Sequence, residues 1–279
     1  MVVQPFDPGP VEEPFASLAR RFPGTEVYPA KSFRIEWGPI FHRGRLDRTA
    51  RVLVLGQDPG QHECIARRIL VGEAGQRVQG FLAKLGMERS YVMVNAFLYA
   101  LCGQPRRKDV DGFLASSAPY RKRWLDALLS GSDVEAVVAF GGLAHDAFAR
   151  WQRTATGKQF DGTFVALPHP TLPDATSKPG TPAYAEKMKA LLVKWNAGLT
   201  ELDDNLGKRD RKLALVPYGD ALLPADQAAI PEADLPPGTP AFMRSLEEWA
   251  TRQGDTPDQK RARIVVTVPP AERPWRSSG

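Results

Sequence analysis

The hydrophobic residues of the first 200 positions fall into short runs separated by longer amphipathic stretches. Four runs are rich in valine and nearly continuous in apolarity: 51–56, 91–97, 134–141 and 163–169. Continuous apolarity over so few residues is typical of strands that are buried on both faces of a parallel sheet. The pattern therefore predicts four buried strands.

The stretches around these runs have helical periodicity. In 76–86 the apolar residues fall on one face, and Gly86 stands where a helix commonly ends. Similar patterns predict further helices over 118–131, 142–152 and 182–199. Strands that alternate with helices predict an α/β fold, here a three-layer α/β/α sandwich with a central, mainly parallel sheet.

Residues 200–279 have a different pattern, and we call them the C-terminal extension. They hold 10 of the 25 prolines, and 216–240 has no sustained period. An amphipathic helix is predicted over 241–253, with Phe242, Leu246 and Trp249 on one side, and 263–268 could form a strand. The apolar content favours an extension that packs on a core domain of residues 1–199 over a disordered tail.

Charge is distributed unevenly between these two parts. Residues 1–200 hold 26 Lys and Arg against 19 Asp and Glu, whereas residues 201–279 hold 11 against 13. A basic core suits a polyanionic partner such as nucleic acid, although a soluble protein with excess basic residues is the alternative.

The sequence is not expected to be that of a membrane protein, a secreted protein or a protein that binds an iron–sulfur cluster. No run approaches the roughly 18 apolar residues that span a bilayer, and the N-terminus lacks the basic and apolar regions of a secretory signal. Cys64 and Cys102 are expected as reduced thiols and are too few for a four-cysteine cluster. We expect a cytoplasmic monomer.

Polar residues stand where three of the predicted strands end. Gln57 and Asp58 follow the first run, Asn95 interrupts the second, and His169 lies between two prolines after the fourth. Each has a structural alternative: a turn or cap for Asp58, an internal hydrogen bond for Asn95, a surface loop for His169. Because ligands of such sheets bind beyond the carboxyl ends of the strands, the set predicts one site.

The motifs around these residues resemble those of the uracil-DNA glycosylase superfamily. They are GQDPG at 56–60 and HPT at 169–171, with Asn95 between them, and the resemblance covers roughly residues 35–198. The Gln-Asp pair is similar to the widespread uracil-excising branch. The stretch RRILVGEAGQRV is similar to the thermophilic iron–sulfur branch, although the four cysteines of that branch are absent.

The resemblance implies catalytic roles for two residues and base recognition for others. Asp58 would stabilise the cationic sugar and activate water, and neutral His169 would donate to the anion forming on uracil O2. Asn95 would read the Watson–Crick edge of the base, and backbone N–H groups around Gln57 would complete a pocket into which the base is flipped. The products would be free uracil and an abasic site, with no metal or cofactor.

The resemblance also implies a DNA-binding loop after the second motif. Leu172 would wedge into the duplex where the base has left, and phosphate contacts would come from Thr171, Ser177 and Lys178. Arg106, Arg107 and Lys108 are either further phosphate contacts or a solvated loop.

Two departures from the family pattern bear on base selection. Gly60 stands where the Gln-Asp branch has a tyrosine that excludes thymine; Gln61, His62 and Glu63 are candidates for the missing wall, with His62 expected at the surface. Leu70 stands where the iron–sulfur branch has a phenylalanine that stacks on the base. Phe97 could supply the ring, although a core position is the favoured interpretation.

The sequence thus predicts a monofunctional uracil-DNA glycosylase of base excision repair, acting on single- or double-stranded DNA. Two alternatives keep the same fold. One is an enzyme for another deaminated or 5-substituted base, which Gly60 and Leu70 would permit. The other is a lesion or abasic-site binder without catalysis, although such a binder has no need of a water-positioning carboxylate.

Overall fold

The computed structural model describes residues 6–103 and 105–273, and its main sheet has five strands. They are β1 (His42–Gly44), β2 (Val52–Gly56), β3 (Tyr91–Asn95), β4 (Ala136–Phe140) and β5 (Thr163–Leu167). Their order across the sheet is β1-β3-β2-β4-β5. β1 runs antiparallel to β3, and the other neighbours are parallel.

Helices cover both faces of this sheet. Their bounds are α1 (Phe15–Arg20), α2 (Gln61–Ala66), α3 (Glu73–Lys84), α4 (Arg107–Leu129), α5 (Gly142–Gln152), α6 (Leu172–Thr176), α7 (Pro182–Asn205) and α8 (Pro257–Ala262). Among the residues described, none of the helices has the length and apolarity needed to cross a membrane.

Alternation along β2 shows how the layers form. Leu53 and Leu55 pack into a cluster with α1, α4 and α5, whereas Val52 and Val54 pack into a second cluster with α3 and α7. All five residues of β2 are buried, because neighbouring side chains of a strand point to opposite faces and both faces are covered. The predicted three-layer α/β/α arrangement with a mainly parallel sheet is confirmed.

The four predicted strands are present, and the helix that the apolar pattern predicted over 118–131 begins earlier than expected. In the structure α4 begins at Arg107 and continues through Pro119. The short antiparallel strand β1 was not predicted.

The C-terminal extension begins inside α7 and then runs along the core. Its Asp210 carboxylate accepts the backbone N–H groups of Glu88, Arg89 and Ser90 at 2.6–2.9 Å, just before β3. Further along, Asp234 accepts from the Tyr91 hydroxyl at 2.7 Å and lies 3.3 Å from the Arg43 guanidinium. The extension therefore contacts the core through polar groups, exposed ones at Asp210 and buried ones at Asp234.

The helix predicted over 241–253 is wrong. This stretch forms a 3-10 turn, Ala241–Arg244, and then the strand β6, Ala250–Arg252, which pairs with β7, Ile264–Val266. Phe242 and Trp249 are buried as expected, but Leu246 is 48% exposed. The backbone here is held by a contact with the core, in which the Gln76 amide donates to the Ser245 carbonyl, and by one within the extension, in which the Thr267 N–H donates to the Trp249 carbonyl.

Candidate active site

The order of the strands places a cleft at the carboxyl end of β2. The chain passes from β2 to β3 on one side, and β4 then pairs with the other side of β2. Such a reversal opens a crevice beyond the strand ends. A cavity of about 540 Å³ lies there, and its lining includes the predicted residues Gln57, Asp58, Gly60, Leu70, His169 and Thr171.

The turn after β2 is held by side chains on both sides. Gln57 accepts the Leu143 N–H at 3.2 Å, which ties the turn to the start of α5. Glu63 accepts the Gly60 N–H at 2.9 Å with one oxygen. Its other oxygen accepts from Val71 at 2.9 Å and from Gly72 at 3.1 Å. Glu63 therefore fixes the distance between the first motif and the loop before α3.

Asp58 lies half-buried in the cavity, where its Oδ2 accepts the Leu101 N–H at 2.9 Å. Desolvation raises the pKa of this carboxyl to about 6, against the lowering effect of the Leu101 hydrogen bond. Glu63 adds to the rise in pKa, whereas Arg252 and Arg34 oppose it. Asp58 is consequently a carboxylate at neutral pH, but one that takes up a proton more readily than an exposed aspartate.

His169 enters the same cavity from the end of β5. Burial is the main cause that lowers its pKa to about 4, and the positive charge of Arg77 contributes to the same lowering, so the ring is neutral at pH 7. The Thr171 N–H donates to Nδ1 at 3.3 Å. The Thr171 hydroxyl lies 3.2 Å from the same nitrogen. When Nδ1 accepts from the Thr171 N–H, the proton of the neutral imidazole sits on Nε2, which makes Nε2 a hydrogen-bond donor.

The loop that carries His169 is anchored by Arg77 of α3. The Arg77 guanidinium donates to the Pro170 carbonyl at 2.8 Å and pairs with Asp174 at 2.6 Å. Asp174 also accepts from the Tyr184 hydroxyl at 2.9 Å. These contacts fix the backbone beside His169, and sequence reasoning did not identify them.

Asn95 stands at the end of β3, 1% exposed, and pairs in register with Gly56. A Cβ atom on Gly56 would stand 2.3 Å from the Asn95 Oδ1, so glycine is needed for the amide to fit. This Oδ1 accepts no hydrogen bond from the described residues. Asn95 does not line the cavity; Leu70, which does, lies beside the amide.

The backbone of α3 packs directly against Leu70. A Cβ on Gly75 would meet the Leu70 carbonyl oxygen at 1.6 Å, so this glycine lets the helix approach. Leu70 has a φ of +53°, which is uncommon for a residue with a side chain. The loop and the helix together hold Leu70 at the cavity, with 7% of its surface exposed.

One wall of the cavity comes from the C-terminal extension, through Glu248 and Arg252. The prediction of His62 at the surface is wrong, because His62 is 6% exposed and lines the cavity. Its Nε2 lies 3.0 Å from a Glu248 oxygen, and its ring meets Trp249 edge to face at 4.7 Å between centroids. The extension, which lies far away in sequence, buries this side chain.

Three other candidates are not at the cavity. Phe97 is fully buried in the cluster under α4 and does not line the site, as the favoured interpretation predicted. Arg106 and Arg107 lie at the start of α4, where they pair with Asp109 at 2.9 Å and Asp146 at 2.5 Å. Both guanidinium groups are therefore paired with carboxylates of this chain.

The predicted DNA-binding residues follow His169 at the rim. Leu172 begins α6 and is 46% exposed. Ser177 and Lys178 follow α6; Lys178 is exposed and Ser177 is partly so. Thr171 is partly exposed and lines the cavity.

Within residues 6–103 and 105–273, no group of three or more His, Cys, Asp and Glu side chains is placed to hold a metal ion. Neither Cys64 nor Cys102 forms a disulfide bond in the described part of the chain.

Sequence reasoning missed several side chains that line or brace the cavity. Glu63 was named only as a candidate wall, and its bracing of the two loops had a weak signal, since it stands three residues after Gly60 at a helix start. Arg34, Arg77 and Arg252 had none, because their places at the site depend on contacts distant in sequence.

Comparison with known proteins identifies the family. The uracil DNA glycosylase superfamily matches residues 43–188, slightly more than half of the chain. No curated protein matches the sequence. The matched segment contains both motifs, β2 to β5 and the paired Asp58 and His169. Membership assigns the chain to glycosylase activity on damaged bases, with DNA as its substrate. The chain therefore belongs to the uracil DNA glycosylase superfamily.

Proposed function

We propose that this protein is a monofunctional uracil-DNA glycosylase of base excision repair, which releases free uracil and leaves an abasic site. The observation that carries the proposal is the pairing of Asp58 and His169 in one cavity. Their different surroundings give them opposite roles at the same pH, which is how acid and base functions are separated in many active sites.

Asp58 acts on the sugar side of the scissile bond. As the bond between C1′ and uracil N1 breaks, its electron pair leaves with the base and positive charge develops on the sugar. The carboxylate stabilises that charge and takes a proton from the water whose oxygen bonds to C1′. A pKa of about 6 leaves Asp58 ionised at neutral pH and basic enough to accept this proton.

His169 acts on the base side. Thr171 occupies Nδ1, so Nε2–H is available to donate to uracil O2 as negative charge develops there. A neutral donor suits this role because it carries no charge that would have to lose its water when the base enters. A preorganised donor of this kind contributes on the order of 3 kcal/mol to the transition state.

Asn95 is the proposed reader of the base. Its buried Oδ1, which accepts no hydrogen bond from the described residues, would accept from uracil N3–H, and its amide N–H would donate to O4. Cytosine presents the opposite pattern at both positions. Leu70 lines the cavity and Asn95 does not, so we propose that the Leu70 side chain shifts when the base reaches the amide.

The loop 171–178 is the proposed DNA contact. The exposed Leu172 fills the gap left by the extruded base, and an apolar wedge offsets part of the unstacking cost. Thr171, Ser177 and Lys178 bind phosphates nearby. Residues 200–279 are proposed to act as an extension of the catalytic domain of residues 1–199, in a monomer.

The test is release of bases from a panel of duplex and single-stranded oligonucleotides that contain uracil, thymine, hypoxanthine, xanthine or 5-hydroxymethyluracil. Uracil release is expected, falling about 100-fold in His169→Ala. His145→Ala is the matched control, since His145 is exposed on α5 and outside the cavity.

Three outcomes separate the alternatives. Preferred release of hypoxanthine, xanthine or a 5-substituted uracil would reassign the base, which Gly60 and Leu70 permit. Binding of abasic DNA without release of any base would support a binder instead. Uracil release that is unchanged in His169→Ala would contradict the role given to this side chain.

A further inference from the structure

A basic groove leads away from the cavity along the C-terminal extension. This open groove of about 520 Å³ is lined by residues that include Arg34, Gln61, Glu248, Thr251, Arg252 and Lys260. Arg34, Gln61, Glu248 and Arg252 also line the cavity, so the two depressions are continuous. We call the open depression along the extension the basic groove.

The charge of the groove is positive. Arg34, Arg252 and Lys260 each contribute a cation, and Glu248 is the acidic residue of the lining. The Glu248 carboxylate faces His62 at 3.0 Å. Neither Arg252 nor Lys260 has an ion pair with any carboxylate whose side chain the structure describes. Both are exposed to solvent, so an incoming anion can reach them.

The position of Arg252 is fixed by the strand that carries it. Arg252 pairs with Ile264 in the β6–β7 ladder. Two residues earlier, Ala250 is fully buried, and its carbonyl accepts from the Gln61 side chain at 3.4 Å. Trp249, 2% exposed, packs on His62. These contacts hold β6, and Arg252 with it, against α2. That helix begins directly after the turn that carries Asp58.

The groove lies close to the reacting groups. The positive charges of Arg252 and Arg34 both favour the ionised form of Asp58, which lowers the pKa of that carboxyl. A nucleotide whose base enters the cavity must leave its flanking phosphates at the mouth. Cations beside that mouth are suited to hold those phosphates, since phosphate contacts fix register and supply most of the sequence-independent affinity.

We propose that the basic groove binds the phosphodiester backbone of the substrate strand next to the extruded nucleotide, with Arg252 as its central contact and Lys260 beyond it. The inference rests on the proposed function in that DNA is the ligand and its base enters the cavity. It gives the C-terminal extension, which lies outside the matched family segment, a direct part in substrate binding.

The experiment measures binding of a duplex that carries a tetrahydrofuran abasic-site analogue, which has no base to release, by fluorescence anisotropy at several salt concentrations. Arg252→Ala is expected to weaken binding roughly 5- to 10-fold at 0.1 M salt. The slope of log Kd against log salt should fall by about 0.9, the loss of one phosphate contact. Lys260→Ala should change both quantities in the same direction.

Two control variants make the result specific. Arg252→Lys keeps the charge and should keep the salt slope. Lys194→Ala removes an exposed lysine of α7 outside the cavity and the groove, and should leave the affinity and the slope unchanged. If Arg252→Ala does not fold, as judged by its thermal transition, the exposed Lys260→Ala variant still tests the groove.

The outcomes are distinguishable from failure of the proposed function. Wild-type affinity and slope in Arg252→Ala and Lys260→Ala would overturn the groove, even where the enzyme releases uracil. A wild-type protein that releases no uracil, but loses affinity and slope in these variants, would overturn the proposed function and leave the groove in place.

Discussion

The α/β core and the C-terminal extension meet at one cavity but contribute side chains of different kinds. The core provides Asp58 and His169, whose pKa values are moved by burial toward states suited to chemistry. The extension provides Glu248 and Arg252, which lie at the rim and are exposed. The division suggests that the core performs the reaction, while the extension holds the site together and helps to bind its substrate.

The largest effect is expected from the core. Asp58→Asn should lower kcat for uracil release roughly 10⁴-fold, the upper end of what loss of a general base costs, because this carboxylate also faces the cationic sugar. The measurement is single-turnover release at pH 8. Asp161→Asn, an exposed residue outside the cavity, is the matched control. A loss smaller than tenfold would remove Asp58 from the chemistry.

The extension should affect stability more than turnover. Asp234→Ala leaves Arg43, fully buried, without the carboxylate that lies 3.3 Å away. Removing one partner of a buried ion pair costs about 3–5 kcal/mol, so the free energy of unfolding in urea should fall by that amount. The remaining folded protein should keep a kcat near the wild-type value. A kcat loss as large as that of Asp58→Asn would break the proposed division.

The core could be predicted from sequence because its signals are local. Asp58 and His169 each follow an apolar run, and parallel strands bring their carboxyl ends together whatever the details of packing. The continuous apolarity of the runs and the helical period of the stretches between them sufficed to predict the three layers. The helix start at Arg107 was missed, since the helical pattern was recognised only over 118–131.

The wall that the C-terminal extension adds to the cavity could not be predicted, because its contacts with the core join residues distant in sequence. Gln61 bonds to Ala250, 189 residues later, and His62 is buried by the neighbouring Trp249. No pattern around His62 distinguishes a buried ring from an exposed one. The amphipathic spacing of 241–253 gave the right buried residues, Phe242 and Trp249, but the wrong backbone.

The pH dependence of turnover connects the two regions. The pKa of Asp58 is about 6, so kcat/KM should fall about tenfold per pH unit below pH 6, as the carboxylate gains a proton. His169, with a pKa of about 4, stays neutral over most of that range. Arg252 favours the Asp58 carboxylate, so Arg252→Ala should move the acidic limb to higher pH.

The pH profile is measured as kcat/KM for uracil release between pH 4.5 and 9. Lys194→Ala, which removes a charge elsewhere, should leave the limb where it is. An acidic limb that stays unchanged in Arg252→Ala would mean that the extension does not act on the electrostatics of the catalytic carboxylate.

The smallest effect on activity is expected at the wall of the cavity to which both the core and the extension contribute. Gly60 offers no side chain to exclude the thymine methyl, and the buried His62 lines the cavity nearby, held by Glu248. His62→Ala should therefore change uracil release little but reduce the preference for uracil over thymine about tenfold, in the range that one methyl group commonly contributes. The ratio is measured on duplexes that differ only in U·G or T·G.

Glu248→Gln decides which region sets this preference. It keeps the size of the side chain that faces His62 but removes its charge, so a steric wall would leave the ratio near its wild-type value. A ratio that falls as far in Glu248→Gln as in His62→Ala would show that the extension, through its charge, positions the wall. A wild-type ratio in His62→Ala would exclude this wall and transfer thymine exclusion to Gln61 or Glu63, which also line the cavity.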